Sequence, residues 1–411
     1  MSFNLVDLRD AIAGGAAGVR AITELEPLAG PRSKVAPPTY ATSDSALTKY
    51  ATEARRSGDL DHPETAAVVL SSVAGQANWA EDALLTAVRD GVVKIPVTSV
   101  DFTAEPDTAQ HGRISDLQSP HRIFDAIFRD ALLDGVFFRL SPVGRSITDA
   151  TSANAAAVYH HAPTALLYGA WDSTGPRGGL GAKYERAYTS EIVATGISVG
   201  VKTSSRLDPL GIEKKAGPVY RTRDHSWSLD AADGVASGKQ GAPPLDPSAV
   251  NHGNIAPSID VRAGGVTADR IEATTVISFI QLRRLRFPKD PQGQVFPADQ
   301  VAGVELAART AIAALGICAA VLAFEAGFDL RSRCVLAPTA DLVFELVGRG
   351  GAKTSFTLDR REAIQLLTEA AAAADAAGID WRTDELTLQP TPHMTELLKR
   401  SIGITQAAPV E

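Results

Sequence analysis

The 411-residue chain has little sulfur: two cysteines, Cys318 and Cys334, and two methionines. Two cysteines supply neither a disulfide framework nor a cysteine-rich zinc site, which suits a reducing compartment. The first residues, MSFNLVDLRDAIAGG, carry acids where a secretory signal carries bases, and no apolar run follows them. The longest apolar stretch, AIAALGICAAVLAF at 311–324, is short for a bilayer crossing. These shortages lead us to expect a cytoplasmic protein with no membrane partner.

Signatures of catalysis are missing too. No G-x-G-x-x-G or Walker A sequence occurs, and GRGGAKTSF at 348–356 has the wrong glycine spacing for a nucleotide loop. GPRGGLGAK at 175–183 offers backbone amides and two cations to a phosphate, or is simply a flexible turn. The eight histidines are scattered, and the adjacent pair His160 and His161 would diverge on a helix. With no H-E-x-x-H spacing we expect no metal and no cofactor. Asp172 and Ser173 lack a histidine partner for nucleophilic chemistry and read as turn-capping residues. Asp116, Asp125 and Asp130 read as dispersed acids on a helix surface. No residue is assigned a catalytic role.

What is present is enough apolar sequence, 45% of residues, to bury a substantial core. The net charge of -8 conceals an asymmetry: residues 177–289 hold 16 Lys and Arg against 11 Asp and Glu. A basic module on an acidic body can present a face to a polyanion. Arg139 and Arg145 flank a strand-to-loop transition, and Lys183, Arg186, Lys202 and Arg206 accompany strands or their ends. Arg221 and Arg223 stand beside His225 and Trp227. Guanidinium groups fork onto phosphates and aromatic rings stack on bases, so this mixture suits single-stranded nucleic acid; solvated surface charge is the plainer alternative.

Hydrophobic periodicity predicts a helix at 4–14, a strand from Val19, a long helix over 63–90 and a strand at 92–102. A helix through SPHRIFDAIFRDALLDG ends at Gly135, another covers much of DATSANAAAVYHH, and TALLYGAW and EIVATGISVGV supply strands. Residues 203–257, rich in Gly, Pro, Ser and charge, look like a projecting insertion. IEATTVISFIQLRRLRF at 271–287 is β-rich with a basic end, 301–326 is the clearest helix, strands fall near 335–347, and an Ala-rich helix occupies 360–377. The order is α+β, without an internal repeat.

Five stretches in sequence, KVAPPTYA, LSSVAGQANWAEDAL, SPHRIFDAIFRDALL, HHAPTALLYGAWDSTG and KYERAYTSEIVATGI, together resemble the large backbone subunit of type I-G (formerly I-U) CRISPR surveillance complexes, or Cascade. They cover residues 34–197. The resemblance implies a member of the RAMP superfamily: an α+β chain with a modified ferredoxin-like or RRM-like palm, large insertions and a projecting thumb-like element. It implies residues 1–202 as the N-terminal part of the palm, 203–257 as the thumb and 258–411 as its completion. Several copies would coat the spacer of a CRISPR guide RNA beside other surveillance-complex subunits, leaving bases free for complementary target DNA, without catalysis. Phosphate and ribose contacts would suit any guide sequence. Within the resembling segments Lys34, Gln76, Asn78, Lys183 and Arg186 become candidate RNA contacts, with Arg177 after the fourth segment approaching RNA or another protomer; they join Arg139, Arg145, Lys202, Arg206, Arg221 and Arg223. Two alternatives stay open: a metal-independent RNA-processing endoribonuclease using His160 or His161, and an RNA-free structural assembly protein.

Overall fold

A computed structural model of the chain describes residues 3–42, 48–56, 64–175, 181–224, 226–236 and 241–407. One curled sheet forms its centre, from β1 (Gly18–Pro27), β2 (Thr52–Arg56), β3 (Glu64–Ser71), β4 (Tyr188–Thr195), β5 (Arg270–Ser278), β6 (Phe328–Arg331), β7 (Cys334–Pro338), β8 (Phe344–Val347) and β9 (Lys353–Phe356). The order across it is β6-β7-β1-β5-β4-β3-β2, with every neighbouring pair antiparallel. One edge of β1 is shared: β8 pairs with Gly18–Ala21 and β7 with Leu25–Pro27. The β1–β5 pair is close because Gly18 has no side chain; a Cβ there would lie 2.3 Å from the Ile277 carbonyl oxygen.

Alternation along β1 buries Val19, Ala21, Thr23 and Leu25 and exposes Ile22 and Glu24. The buried side packs under four helices: α1 (Leu5–Ala13), α2 (Val73–Arg89), α3 (Val301–Glu325) and α4 (Arg360–Ala376). At 25 residues and a mean hydropathy of 2.0, α3 is long and apolar enough to cross a membrane, yet 78% of that apolar stretch is buried inside the fold. It is therefore the core helix, apolar all round because other elements surround it. A second, five-stranded sheet places Thr98–Asp101 parallel to Leu386–Pro390, so the C-terminal part of the chain closes against its middle.

Several sequence expectations give way to tertiary packing. The predicted helix over 63–90 is a strand followed by a helix: Val68 and Leu70 are fully buried on β3, and Ser72 then caps α2 by accepting the Gly75 N–H. The predicted helix ending at Gly135 breaks into a turn at Arg122–Phe124, a short helix at Ala126–Arg129 and a hairpin, Ala131–Leu133 with Val136–Phe137. Asp134 and Gly135 turn that hairpin with φ of 51° and 79°. TALLYGAW is not a strand: Pro163–Tyr168 is a helix with proline in its first turn, and only Ala170–Trp171 is extended. Before it, helices Pro142–Asp149 and Ala156–His161 replace the single helix expected there. Only Thr98–Asp101 of the 92–102 strand forms, and β5 stops at Ser278, where the chain turns into the short helix Phe279–Leu282.

The sheet also roofs a second, smaller core. Leu25, Val68, Leu70, Ile192, Ala194, Ile271 and Ala273 meet Val35 and Tyr50 from the loop after β1. That loop has to keep its intervening side chains out of the core.

Candidate nucleic-acid interface

Lys34 and Lys49 are the exposed residues next to the buried Val35 and Tyr50, so burying one member of each pair turns its basic neighbour to solvent. Val35 exchanges both backbone hydrogen bonds with Val266, at 2.9 and 2.8 Å, and Tyr50 accepts the Gly265 N–H at 2.7 Å. The loop is thereby stapled to the segment where the chain returns from residues 203–257. Lys34 lies over glycines of that segment and donates to the Val201 carbonyl at 3.2 Å. Cβ atoms on Gly200 or Gly265 would meet its side chain at 2.8 Å. The Lys49 N–H and the Thr48 hydroxyl both donate to the Arg262 carbonyl, at 3.1 and 2.9 Å. Lys202 begins the next strand, exposed.

The result is a basic collar, with Lys34, Lys49, Lys202 and Arg262 around the root of the insertion and the exposed Arg32 and Arg333 on adjoining turns. Among the described residues Lys34, Lys49 and Lys202 have no carboxylate partner. Each ammonium keeps donors for a ligand, since Lys34 spends one of three on Val201.

From this root rises a two-stranded ribbon, Lys202–Arg206 with Ile255–Asp260, followed by a small hairpin, Tyr220–Arg221 with Trp227–Ser228. The ribbon is almost wholly exposed. Residues 203–257, expected to be irregular, thus contain paired strands and are more regular than their composition suggests. Two of its candidate contacts serve as internal braces: Arg206 donates to the Asn251 carbonyl and Arg221 to the Ala249 carbonyl at 3.0 Å. Arg223 is exposed on the hairpin turn.

The remaining candidates scatter. Gln76 is 7% exposed; its amide donates to Ser71 Oγ at 3.0 Å and accepts from Ser190 Oγ at 3.3 Å. It is a strut between α2 and the sheet, which corrects its assignment as a surface contact. Arg139 is likewise engaged, donating to the Thr174 carbonyl at 2.7 Å and to the fully buried Asp172 carboxylate at 3.0 Å. Asn78 and Arg145 are exposed on separate helices and take no part in the collar's hydrogen bonds. Lys183 and Arg186 are exposed at the other end of β4, with Lys183 6.0 Å from the centre of the Trp171 ring. Arg177 lies outside the described residues. Lys49 and Arg262 were not singled out from sequence; Lys49 had one signal, its place beside Tyr50, and Arg262 had none.

The sheet face opposite the helices offers a different surface. On β1, β4 and β5 it carries no aromatic side chain. Its charges meet in pairs: Arg20 with Glu345 at 2.7 Å, Arg55 with Glu191 at 3.2 Å and Arg270 with Glu272 at 2.9 Å. Neither base stacking nor a surplus of cations is available there.

The densest group of titratable side chains is internal. Arg122 clasps Glu81 with two hydrogen bonds, 2.6 and 2.8 Å, and donates to the Gly169 carbonyl at 2.8 Å. Burial pushes the Glu81 carboxyl up to about 7 despite the guanidinium. Burial, with Glu81 nearby, also raises that of Asp116 to about 7, although Asp116 accepts the Thr98 N–H. Asp116 is therefore a core residue and not the surface acid expected. Burial, His160 and Arg382 depress the His161 imidazole to about 3. The His160 and His161 rings pack edge to face, 4.6 Å apart, and His160 Nδ1 lies 3.2 Å from the Asp380 carbonyl oxygen. Among the described residues no group of three or more His, Cys, Asp or Glu is placed to hold a metal ion.

Residues 19–199 match the family described as CRISPR-associated protein GSU0053. The match starts in β1, includes α2, β3, β4 and Lys34, and ends where the chain enters the insertion. No curated protein matches the chain.

Proposed function

We propose that the chain is a non-catalytic, guide-RNA-binding backbone subunit of a type I-G CRISPR surveillance complex. The observation that carries this is the coincidence of a CRISPR-associated match with the basic collar at the root of a projecting ribbon. Lysines presented on a loop edge favour phosphate and ribose over base edges. That is the contact pattern a scaffold for arbitrary guide sequences requires. In this reading the ribbon is the thumb-like element, and the collar holds RNA where thumb and palm meet.

A ferredoxin-like palm is supported by strand order. Taken along the chain, β1, β4, β5 and β7 lie in space as β7-β1-β5-β4, with α2 between the first and second and α3 between the third and fourth. The hairpin β2–β3 is added at one edge, before α2.

The test is binding of single-stranded RNA. The protein should bind two unrelated RNA sequences of equal length within about threefold of each other, and K34E/K49E/K202E should weaken both by at least tenfold at unchanged melting temperature. Binding of one sequence only, or full binding by the triple variant, contradicts the proposal.

A further inference from the structure

Within the insertion two short turns, Lys214–Ala216 and Pro247–Val250, pack together. The chain beside them is tied by Val219 and Leu245, which exchange both backbone hydrogen bonds at 2.9 and 3.0 Å. Arg221 donates to the Ala249 carbonyl at 3.0 Å, and Lys214 pairs with Asp246 at 3.0 Å. The walls come close at Gly217, where a Cβ would meet the Pro247 ring at 3.0 Å. Between these walls lies an open groove of about 860 Å³, which is the size of a ligand site. Its apolar lining is reachable: Pro218 and Pro244 are exposed, Leu245 and Ala249 are half-buried, and Ile255 is 43% exposed. Its surplus charge is positive. Lys214 and Lys215 line it and are both exposed, while Asp246, the one acid lining it among the described residues, is engaged by Lys214. Lys215 has no carboxylate partner among the described residues.

We propose that this groove docks an extended acidic peptide segment of a partner protein. The unpaired lysine calls for a carboxylate, and the Leu245 and Ile255 side chains call for an apolar group beside it. A peptide that alternates the two supplies both: its carboxylate meets Lys215 while the neighbouring apolar side chain packs between Leu245 and Ile255. An RNA strand answers only the lysines. Its ribose-phosphate chain has no apolar side chain to set on Leu245 and Ile255, and no aromatic ring lines the groove, among the described residues, to stack a base. Other apolar side chains of the insertion stand in solvent as well, with Leu207, Leu210, Leu229, Ile259 and Val261 between 65% and 88% exposed, as on a surface that meets protein. The groove does not depend on the collar's role.

Fluorescence anisotropy of the full-length protein with the labelled peptide Glu-Leu-Glu-Pro-Leu-Glu tests this. The peptide should bind at least tenfold more tightly than its counterparts with lysine in place of glutamate or serine in place of leucine. K215E should weaken it at least tenfold and I255S at least threefold, both at unchanged melting temperature, and K215E should bind the lysine peptide more tightly than the parent does. K34E/K202E should leave peptide affinity unchanged, so failure at the collar and failure here are distinguishable. A labelled single-stranded RNA dodecamer is measured alongside, and its affinity should be unchanged by I255S. No binding of the acidic peptide at millimolar concentration, or equal binding of the serine peptide, overturns the proposal. Loss of RNA binding but not peptide binding in K215E also overturns it and assigns the groove to nucleic acid.

Discussion

Arg122 and Glu81 meet as a bidentate ion pair with side chains 7% and 2% exposed, joining helix α2 to the irregular chain that follows the second sheet's first two strands. Arg122 takes a φ of 52° to get there. Removing one partner strands a buried charge, so Arg122→Ala should cost about 3–5 kcal/mol in urea unfolding. Replacing both, as in Glu81→Leu with Arg122→Met, should cost less than the sum of the single changes. Additive losses would show that the two charges are not coupled.

Asp116 gives stability a specific pH dependence. Burial raises its folded-state value to about 7, against about 4 for an aspartate in an unfolded chain. Between those values the folded state binds the extra proton, so this contribution is full at low pH and is lost as pH rises through about 7. Asp116→Asn cannot ionise. Its melting temperature relative to the parent should therefore rise between pH 5 and pH 8, and a constant difference would contradict the assignment.

Gln76 and Lys34 should separate stability from binding. Gln76→Ala leaves Ser71 and Ser190 without their buried partner and should cost about 1–3 kcal/mol while RNA affinity holds. Lys34→Ala should do the reverse, because its ammonium is exposed and makes one hydrogen bond. Chemical denaturation and RNA binding measured on both variants check this.

If the collar lysines touch phosphates, each must release a counterion. The slope of log affinity against log salt should shrink by about 0.7 for each of Lys34, Lys49 and Lys202 removed. Unchanged slopes would place the RNA elsewhere on the protein.

The legible parts of the fold were those where local and tertiary preferences agree. Helix α3 is apolar on every side, and α4 begins with a capping box between Asp359 and Glu362. The misread parts are those where neighbours decide. Residues 64–71 are drawn into the sheet by pairing with β4 and β2, and Pro163–Tyr168 is helical because all six residues are buried within the helical core. Among candidate contacts, Lys34 and Lys202 came from sequence and lie together, although 168 positions separate them. Their neighbours Lys49 and Arg262 escaped notice because only the folded loop brings them to the same place. Gln76 looked available because helix periodicity does not reveal which polar residue a sheet hydroxyl will claim.

The most direct test of the backbone proposal is to co-express the chain with its neighbouring CRISPR components and a guide array, treat the purified assembly with nuclease, and measure its native mass and the length of RNA it retains. The account predicts several copies of this chain on one protected guide. A stable assembly that carries no RNA would contradict it.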